Sequence, residues 1–377
     1  MNDRLGVKRV EKLINITGKA LSGEWGIDDE EGIGIPVLRT TNFTNDGIID
    51  YSNVITRTIT KKNIADKFLR KGDIIIEKSG GSDNKPVGRV VYFDNDENKY
   101  LFNNFTGLLR VKDTTKWLPK YIFYSLFANY QSGGTRRYEN KTTGLHNLQT
   151  DFYVKDFEIK EISYGEQIEI CELFDGITDL IDKRKRQLEK LDELVKSRFI
   201  ELFGDPIKNT QHRQTTAFVN VVTMQRGFDL PVQDREQSGN IPVYGSNGVL
   251  DHHNQAKACN GGVITGRSGT IGKVFYTRGA YWPLNTTLFS VDTHENNIIY
   301  LAHLLRMFNL ARFTEGTGVP TLNRNKFHSA PIIDVPIDEQ NQFAAFVEQT
   351  DKSKFEIKQS LEKLELLKKA LMQKYFG

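Results

Sequence analysis

Glu166-Gln167, Leu188-Glu189-Lys190-Leu191 and Phe203-Gly204 return, after a shift of 173 residues, as Glu339-Gln340, Leu361-Glu362-Lys363-Leu364 and Phe376-Gly377. A repeat of that length dictates architecture before any local reading does. In the first copy Leu173, Ile177, Leu180, Leu188, Leu191, Leu194 and Leu202 recur at three- and four-residue steps among charged residues, which predicts an amphipathic helix over 164–204. The second copy, 337–377, carries Phe343, Phe346, Ile357, Leu361, Leu364, Leu367 and Leu371 in the same way. A helix of about 40 residues is about 60 Å long, too long for the interior of one small domain. Gly204-Asp205-Pro206 stops the first sharply.

Outward from these helices, residues 1–163 and 215–336 read as globular domains, with 205–214 as a polar linker. Short β-branched runs such as Ile35-Pro36-Val37-Leu38 and Asp73-Ile74-Ile75-Ile76, separated by Gly and Asn clusters, predict strands and turns. Leu118–Tyr130 predicts a helix with Pro119 in its first turn. The second domain echoes the first. Arg267-Ser268-Gly269 and Gly272-Lys273-Val274 answer Lys78-Ser79-Gly80 and Gly88-Arg89-Val90, and Thr317-Gly318 with Leu322 answers Thr143-Gly144 with Leu148. The expected fold class is therefore α+β: two strand-rich mixed domains, each followed by a long helix. The helices are expected to pair as an antiparallel coiled coil with pseudo-two-fold symmetry, since each stripe needs a partner and the other copy is close at hand. Packing of each helix on its own domain or on another protein stays open at this level.

The 377 residues suffice for two or three domains, and a net charge of +3 argues against a globally basic nucleic-acid protein while leaving room for local basic surfaces. Cys171 and Cys259 stand far apart, which points to a reducing compartment. Met1-Asn2-Asp3-Arg4 leads into no apolar signal core, and no apolar run approaches the roughly 20 residues of a membrane span, so a cytoplasmic location without membrane contact is expected.

The glycine-rich stretch 261–273 is no phosphate loop: Arg267 stands where that motif needs glycine, and Val274 where it needs Ser or Thr. A strand–turn–strand is expected instead. His252, His253 and Cys259 lack zinc spacing. Glu356-Ile357-Lys358 resembles part of a nuclease triad but lies on the long helix with no acidic strand residue to support it. No catalytic residue and no metal ligand is therefore assigned.

Several polar clusters suit DNA. Arg136-Arg137, then Lys141, Thr143, His146 and Asn147, form a basic, hydroxyl-rich stretch, and Arg312, Thr317, Thr321, Asn323 and Arg324 form its counterpart. Arg39-Thr40-Thr41-Asn42 and Tyr244-Gly245-Ser246-Asn247 follow short strands in matching places. Lys78, Ser79 and Arg89 with Ser268, Arg267 and Lys273 sit at equivalent turns, and Arg226 completes the set. Cations neutralise phosphates, hydroxyls and amides fix register, and Asn or Arg reads base edges. Any one of these residues fits a solvated loop equally well; their recurrence in both halves favours DNA. Lys183-Arg184-Lys185-Arg186 has no such counterpart and reads as a solvated helix face.

With the Glu-Gln helix openings, the Leu-Glu-Lys-Leu cores and the Phe-Gly endings, three further marks stand out. They are Arg226-Gly227-Phe228-Asp229-Leu230-Pro231, Ile241–Gly248 and the Gly-Lys-Val strand after Ser268-Gly269. Over essentially its whole length the chain resembles the DNA-specificity subunits of Type I restriction-modification systems. The resemblance implies two target-recognition domains and two helical spacers, reading double-stranded DNA as a bipartite target. It also implies a non-catalytic role beside two modification methyltransferase subunits and restriction/translocase subunits. S-adenosylmethionine, ATP and Mg would belong to those partners, with no cofactor on this chain. The first domain departs from the second, with Arg39-Thr40-Thr41-Asn42 in place of the Tyr-Gly-Ser-Asn form, which suggests unlike half-sites. A helical adaptor without sequence readout and an independent endonuclease using Glu356 are the competing readings.

Overall fold

The computed structural model describes residues 9–142, 145–236, 238–316 and 320–377. They form two compact units, Met1–Asp182 with Glu362–Gly377, and Lys183–Leu361.

In the first unit Val10–Lys12 pairs antiparallel with Glu158–Lys160 and closes the domain. The main sheet runs Leu21–Ser22, Thr106–Leu109, Ile74–Glu77, Val90–Tyr92, all antiparallel. Ile74, Ile75 and Ile76 are all buried, so this interior strand is covered on both faces, as its unbroken apolar run requires. A second sheet orders Ile27–Asp28, Ile55–Thr58, Ile35–Leu38 and Leu101–Phe102, the last pair parallel. The hairpin Glu139–Thr142/Leu145–Leu148 adds to Ser79–Gly81 as a small third sheet. The helix Pro119–Gln131 buries Tyr121, Ile122 and Leu126 in the core.

The second unit repeats this plan. Thr215–Ala217 pairs with Pro331–Ile333. The main sheet runs Thr223–Arg226, Thr287–Asp292, Gly262–Gly266, Val274–Thr277, the same order as in the first domain. Gly248–His253, Ile241–Gly245 and Trp282–Pro283 form the second sheet, again with one parallel pair. The helix Ile298–Phe308 starts at Asn297, whose side chain accepts from the Ile299 and Tyr300 amides.

Two helices of 40 residues, Tyr164–Phe203 and Ile337–Phe376, follow the domains. Ser163 and Glu166 close the first with a capping box: the Glu166 carboxylate accepts from the Ser163 amide at 2.9 Å, and the Ser163 hydroxyl accepts from the Glu166 amide at 3.3 Å. Gly204 ends it with φ +75°, and a Cβ there would meet the Thr210 hydroxyl at 2.7 Å. The helices pack antiparallel. In the first unit Phe174, near the start of one, meets Tyr375 and Phe376 at the end of the other, with centroids 6.2 and 5.8 Å apart. In the second unit Phe199 and Phe203 meet Phe343 at 5.5 and 5.6 Å.

The buried face differs from the leucine stripe read from sequence. Ile177 and Phe343 of the expected stripe are buried, but Leu173, Leu180, Leu194 and Leu367 are exposed, and on the first helix the buried apolar residues are Cys171, Phe174, Ile177, Ile181, Val195, Phe199 and Phe203. Aromatic side chains reaching into the domain cores set the rotation of the helix, and several leucines one position away are turned outward. Cys171 is buried and Cys259 exposed, both as free thiols.

Candidate nucleic-acid interface

Lys78 and Arg267 stand at one and the same place in the two domains. Each follows an interior strand of its main sheet, Ile74–Glu77 or Gly262–Gly266. The Lys78 amide donates to the Phe105 carbonyl and its own carbonyl accepts from Leu148, both at 2.8 Å. Arg267 does the same with the Thr286 carbonyl and the Leu322 amide, also at 2.8 Å. Ser79 and Ser268 repeat the parallel one residue on, donating to the same two carbonyls at 3.3 and 3.2 Å.

In the second domain, Arg226, Arg267, Thr321, Asn323 and Arg324 line one cleft of about 320 Å³ together with Glu315 and Asn325. None of the three guanidinium groups meets a carboxylate among the described residues; Arg226 donates weakly to the Asn285 carbonyl at 3.4 Å. Among the described residues, the one carboxylate lining the cleft, Glu315, is already engaged. Lys326 pairs with Glu315, and the Asn323 amide donates to it at 2.8 Å. Those two contacts hold the Glu315 carboxyl below its ordinary range. The cleft therefore presents uncompensated positive charge beside amide and hydroxyl groups, the mixture that binds phosphates and base edges.

The first domain fills the same position differently. Its register sets Ser22 opposite Gly107 where Arg226 faces Leu288. The Lys78 ammonium donates to the Ser22 hydroxyl at 2.8 Å. Burial presses that ammonium below its ordinary range, and the charge of Asp151 opposes the shift. Asn147 pairs with Ser79 as Thr321 bridges Ser268. Ser22, Asp151 and Asn325 were not singled out from the sequence. A signal for Ser22 existed: Gly23 and Gly227 both pass so close to a carbonyl, of Asn103 or Leu284, that no Cβ fits, which aligns Ser22 with Arg226.

The remaining candidates divide. Asn42 is 2% exposed, and its side chain accepts from the Arg39 amide and donates to the Asp50 and Asn53 carbonyls. The Arg39 guanidinium also donates to Asn53. Arg89 is tied to the Phe43 and Thr40 carbonyls at 2.7 and 2.9 Å and to Glu77 at 3.1 Å. These side chains build the loop that carries Thr40 and the exposed Thr41. In the second domain the equivalent Lys273 is exposed and donates to Asn247 at 2.8 Å, near Ser246 on the same turn. Tyr244 is buried edge-on against Tyr281, 5.8 Å between centroids.

His146, 4% exposed, lies between Glu139 at 3.0 Å and Asp83 at 3.5 Å. It thus holds the hairpin from inside. Arg136 is exposed and donates to the Asp83 carbonyl, and Arg137 lies over the Tyr138 ring. Arg312 covers Phe308 and Phe313 at 4.3 and 4.7 Å. Lys141 lies on the strand Glu139–Thr142; its side chain, and Thr143 and Thr317 altogether, fall outside the described residues. Gly262–Gly266 and Val274–Thr277 form a strand–turn–strand. Among the described residues no group of three or more His, Cys, Asp or Glu could hold a metal, and no helix is long and apolar enough to cross a membrane.

One scaffold used twice, with unlike polar surfaces at the same ledge, defines a double-headed recognition protein. The chain belongs to the Type I restriction modification DNA specificity family, whose domain model matches residues 3–193 and 219–368. Its role is that of a DNA-recognition subunit of such a system. The fold is similar to that of the Type I S subunit from M. genitalium. That similarity has a TM-score of 0.62 at 15% identity, covering 100% of this chain and 98% of the other. It is also similar to a chain from a structure on complex assembly and conformational transition of the type I R-M system. There the TM-score is 0.60 at 14% identity, with 98% and 97% covered. No curated protein sequence matches.

Proposed function

We propose that the chain reads an asymmetric, bipartite double-stranded DNA target, one half-site per domain, while the paired long helices set the unread spacing. The observation that carries this reading is the pair of equivalent ledges with different side chains: Ser22, Lys78 and Asn147 in one domain, Arg226, Arg267, Thr321 and Arg324 in the other. A shared backbone with unlike donors recognises unlike base edges.

Chemistry belongs to partners in this reading. Two modification methyltransferase subunits supply S-adenosylmethionine, and restriction/translocase subunits supply ATP-driven cleavage with Mg; this chain holds no cofactor and works in the cytoplasm. The exposed apolar residues of the long helices, Leu173, Leu180 and Leu366 in one unit and Leu194 and Phe355 in the other, offer such partners a docking face.

Modification-sensitive sequencing of host DNA with the chain intact and deleted tests the reading. Loss of methylation at one two-part motif with unlike halves and a fixed gap supports it. An unchanged methylome, with the methyltransferase present, would sink it in favour of an adaptor role.

A further inference from the structure

We infer that Lys78 and Arg267 are the paired base-reading residues of the two domains, each directed at a guanine in the major groove of its own half-site. The inference rests on the two-half-site reading above and adds which residue in each domain carries discrimination.

The first ground is rigidity. A base reader must be held to within a fraction of an ångström, which elements of a sheet do better than free loops. At both positions the main chain is pinned on its N–H and C=O sides by 2.8 Å bonds to two other segments of the domain. Both residues are half-buried. Arg324 and Arg226, by contrast, are exposed at the rim of the cleft, where a long cation suits a phosphate.

The second ground is chemistry. Both positions carry a cation, and among the described residues neither forms an ion pair with a carboxylate: Lys78 donates to the neutral Ser22 hydroxyl with only the longer-range charge of Asp151 acting on it, and Arg267 meets none. Guanine offers two acceptors, O6 and N7, on its major-groove edge, the pattern that Arg takes bidentately and that Lys also takes. Thymine offers one acceptor, O4, adenine sets an amino donor beside its N7, and cytosine presents only an amino donor, so guanine alone offers a cation two acceptors on that edge.

The third ground is the neighbourhood. Thr321 stands opposite Ser268 and Asn147 opposite Ser79, so the strand beside each cation carries a different polar residue. One shared guanine reader with different flanking donors yields unlike half-sites from a common scaffold.

The test uses the full chain assembled with its methyltransferase and DNA duplexes carrying the motif found in the methylome. Each position is replaced in turn by the other three base pairs. Arg267→Ala should flatten discrimination at one G·C pair of one half-site, by roughly 10-fold or more, and leave the other half-site unchanged. Lys78→Ala should do the same in the other half only. Arg267→Lys should keep the guanine preference in weakened form, and Arg324→Ala should weaken all duplexes alike. Because the pinning bonds are main-chain, Arg267→Gln, polar but uncharged and shorter, provides a second variant should the alanine form assemble poorly. A uniform loss across all sequences for Arg267→Ala, or loss of preference at an A·T pair, would overturn the inference while leaving the half-site reading intact. Absence of any preference in the unmutated assembly would overturn that reading instead.

Discussion

The Gln340 side-chain oxygen accepts the main-chain N–H of Asn297 at 2.9 Å, which ties the second long helix to the first turn of the domain helix beside it. Gln167 takes the Leu118 amide at 2.8 Å in the same way. Each glutamine then donates back, Gln340 to Val335 and Gln167 to Ile162. Both are 1% exposed. The glutamine of the repeated Glu-Gln pair is thus a bolt between helix and domain, satisfying an amide that the helix start leaves open.

Gln340→Leu keeps the volume and removes the acceptor. The part-buried Asn297 amide and the buried Val335 carbonyl then lose their partner, at a cost of about 1–3 kcal/mol. Urea denaturation should show a lower midpoint with little change in slope. A midpoint equal to wild type would mean that water replaces the glutamine.

Phe199 contacts Phe203, Tyr300 and Phe343, and is 0% exposed. Phe199→Ala should cost about 3–5 kcal/mol through lost burial and a cavity. Leu194→Ala, five residues away but 47% exposed, should change stability by less than about 1 kcal/mol. Equal losses from the two would contradict the rotation of the helix described above.

Arg226 and Arg324 face the same cleft without carboxylate partners among the described residues. If each meets a phosphate, its replacement by alanine lowers the slope of log K against log salt by about one unit. Titrations at several salt concentrations read this directly. An unchanged slope would remove the residue from the phosphate contacts.

His303 is pushed down from 6.5 to about 3, first by burial and then by the charges of Arg306 and Lys354, with Asp192 opposing. The folded state keeps the imidazole neutral, whereas the unfolded chain binds a proton near 6.5. Between about 3 and 6.5 the unfolded state holds more protons, so this contribution to stability is complete above that window and is lost as pH falls through it. His303→Phe retains a ring beside Phe343, 5.3 Å away, and cannot titrate. The stability difference between variant and wild type should be flat above pH 7 and shift in favour of the variant as pH falls. A difference independent of pH would show that His303 titrates normally.

Removing seven residues from the middle of both long helices keeps the apolar seam in phase and shortens each by about 10 Å. With about 3.4 Å per base pair, the unread gap in the methylated motif should shrink by about three base pairs, with the half-sites unchanged. An unaltered gap would deny the helices the role of a ruler.

Much of the architecture is legible in the sequence. The 40-residue helices, the strand-and-turn grammar and the repetition of one domain plan come from patterns within short windows, where backbone sterics and apolar periodicity act locally. The rotation of the helices could not be read in this way. A leucine heptad and a phenylalanine one position away predict nearly the same stripe, and only the domain cores that receive Phe174 and Phe199 choose between them.

The sequence alone determined that one scaffold occurs twice with different polar loops, because duplication and loop composition are properties of the chain order itself. Which polar residues remain available was decided only by tertiary structure. Asn42, Arg89 and His146 look as fit for DNA as any neighbour, yet buried main-chain carbonyls and carboxylates claim them. Arg226, Arg267 and Arg324 are far apart in sequence and meet in one cleft. The physical reason is that a buried polar group must be satisfied by whatever the fold brings beside it, and that partner is set by contacts distant in sequence.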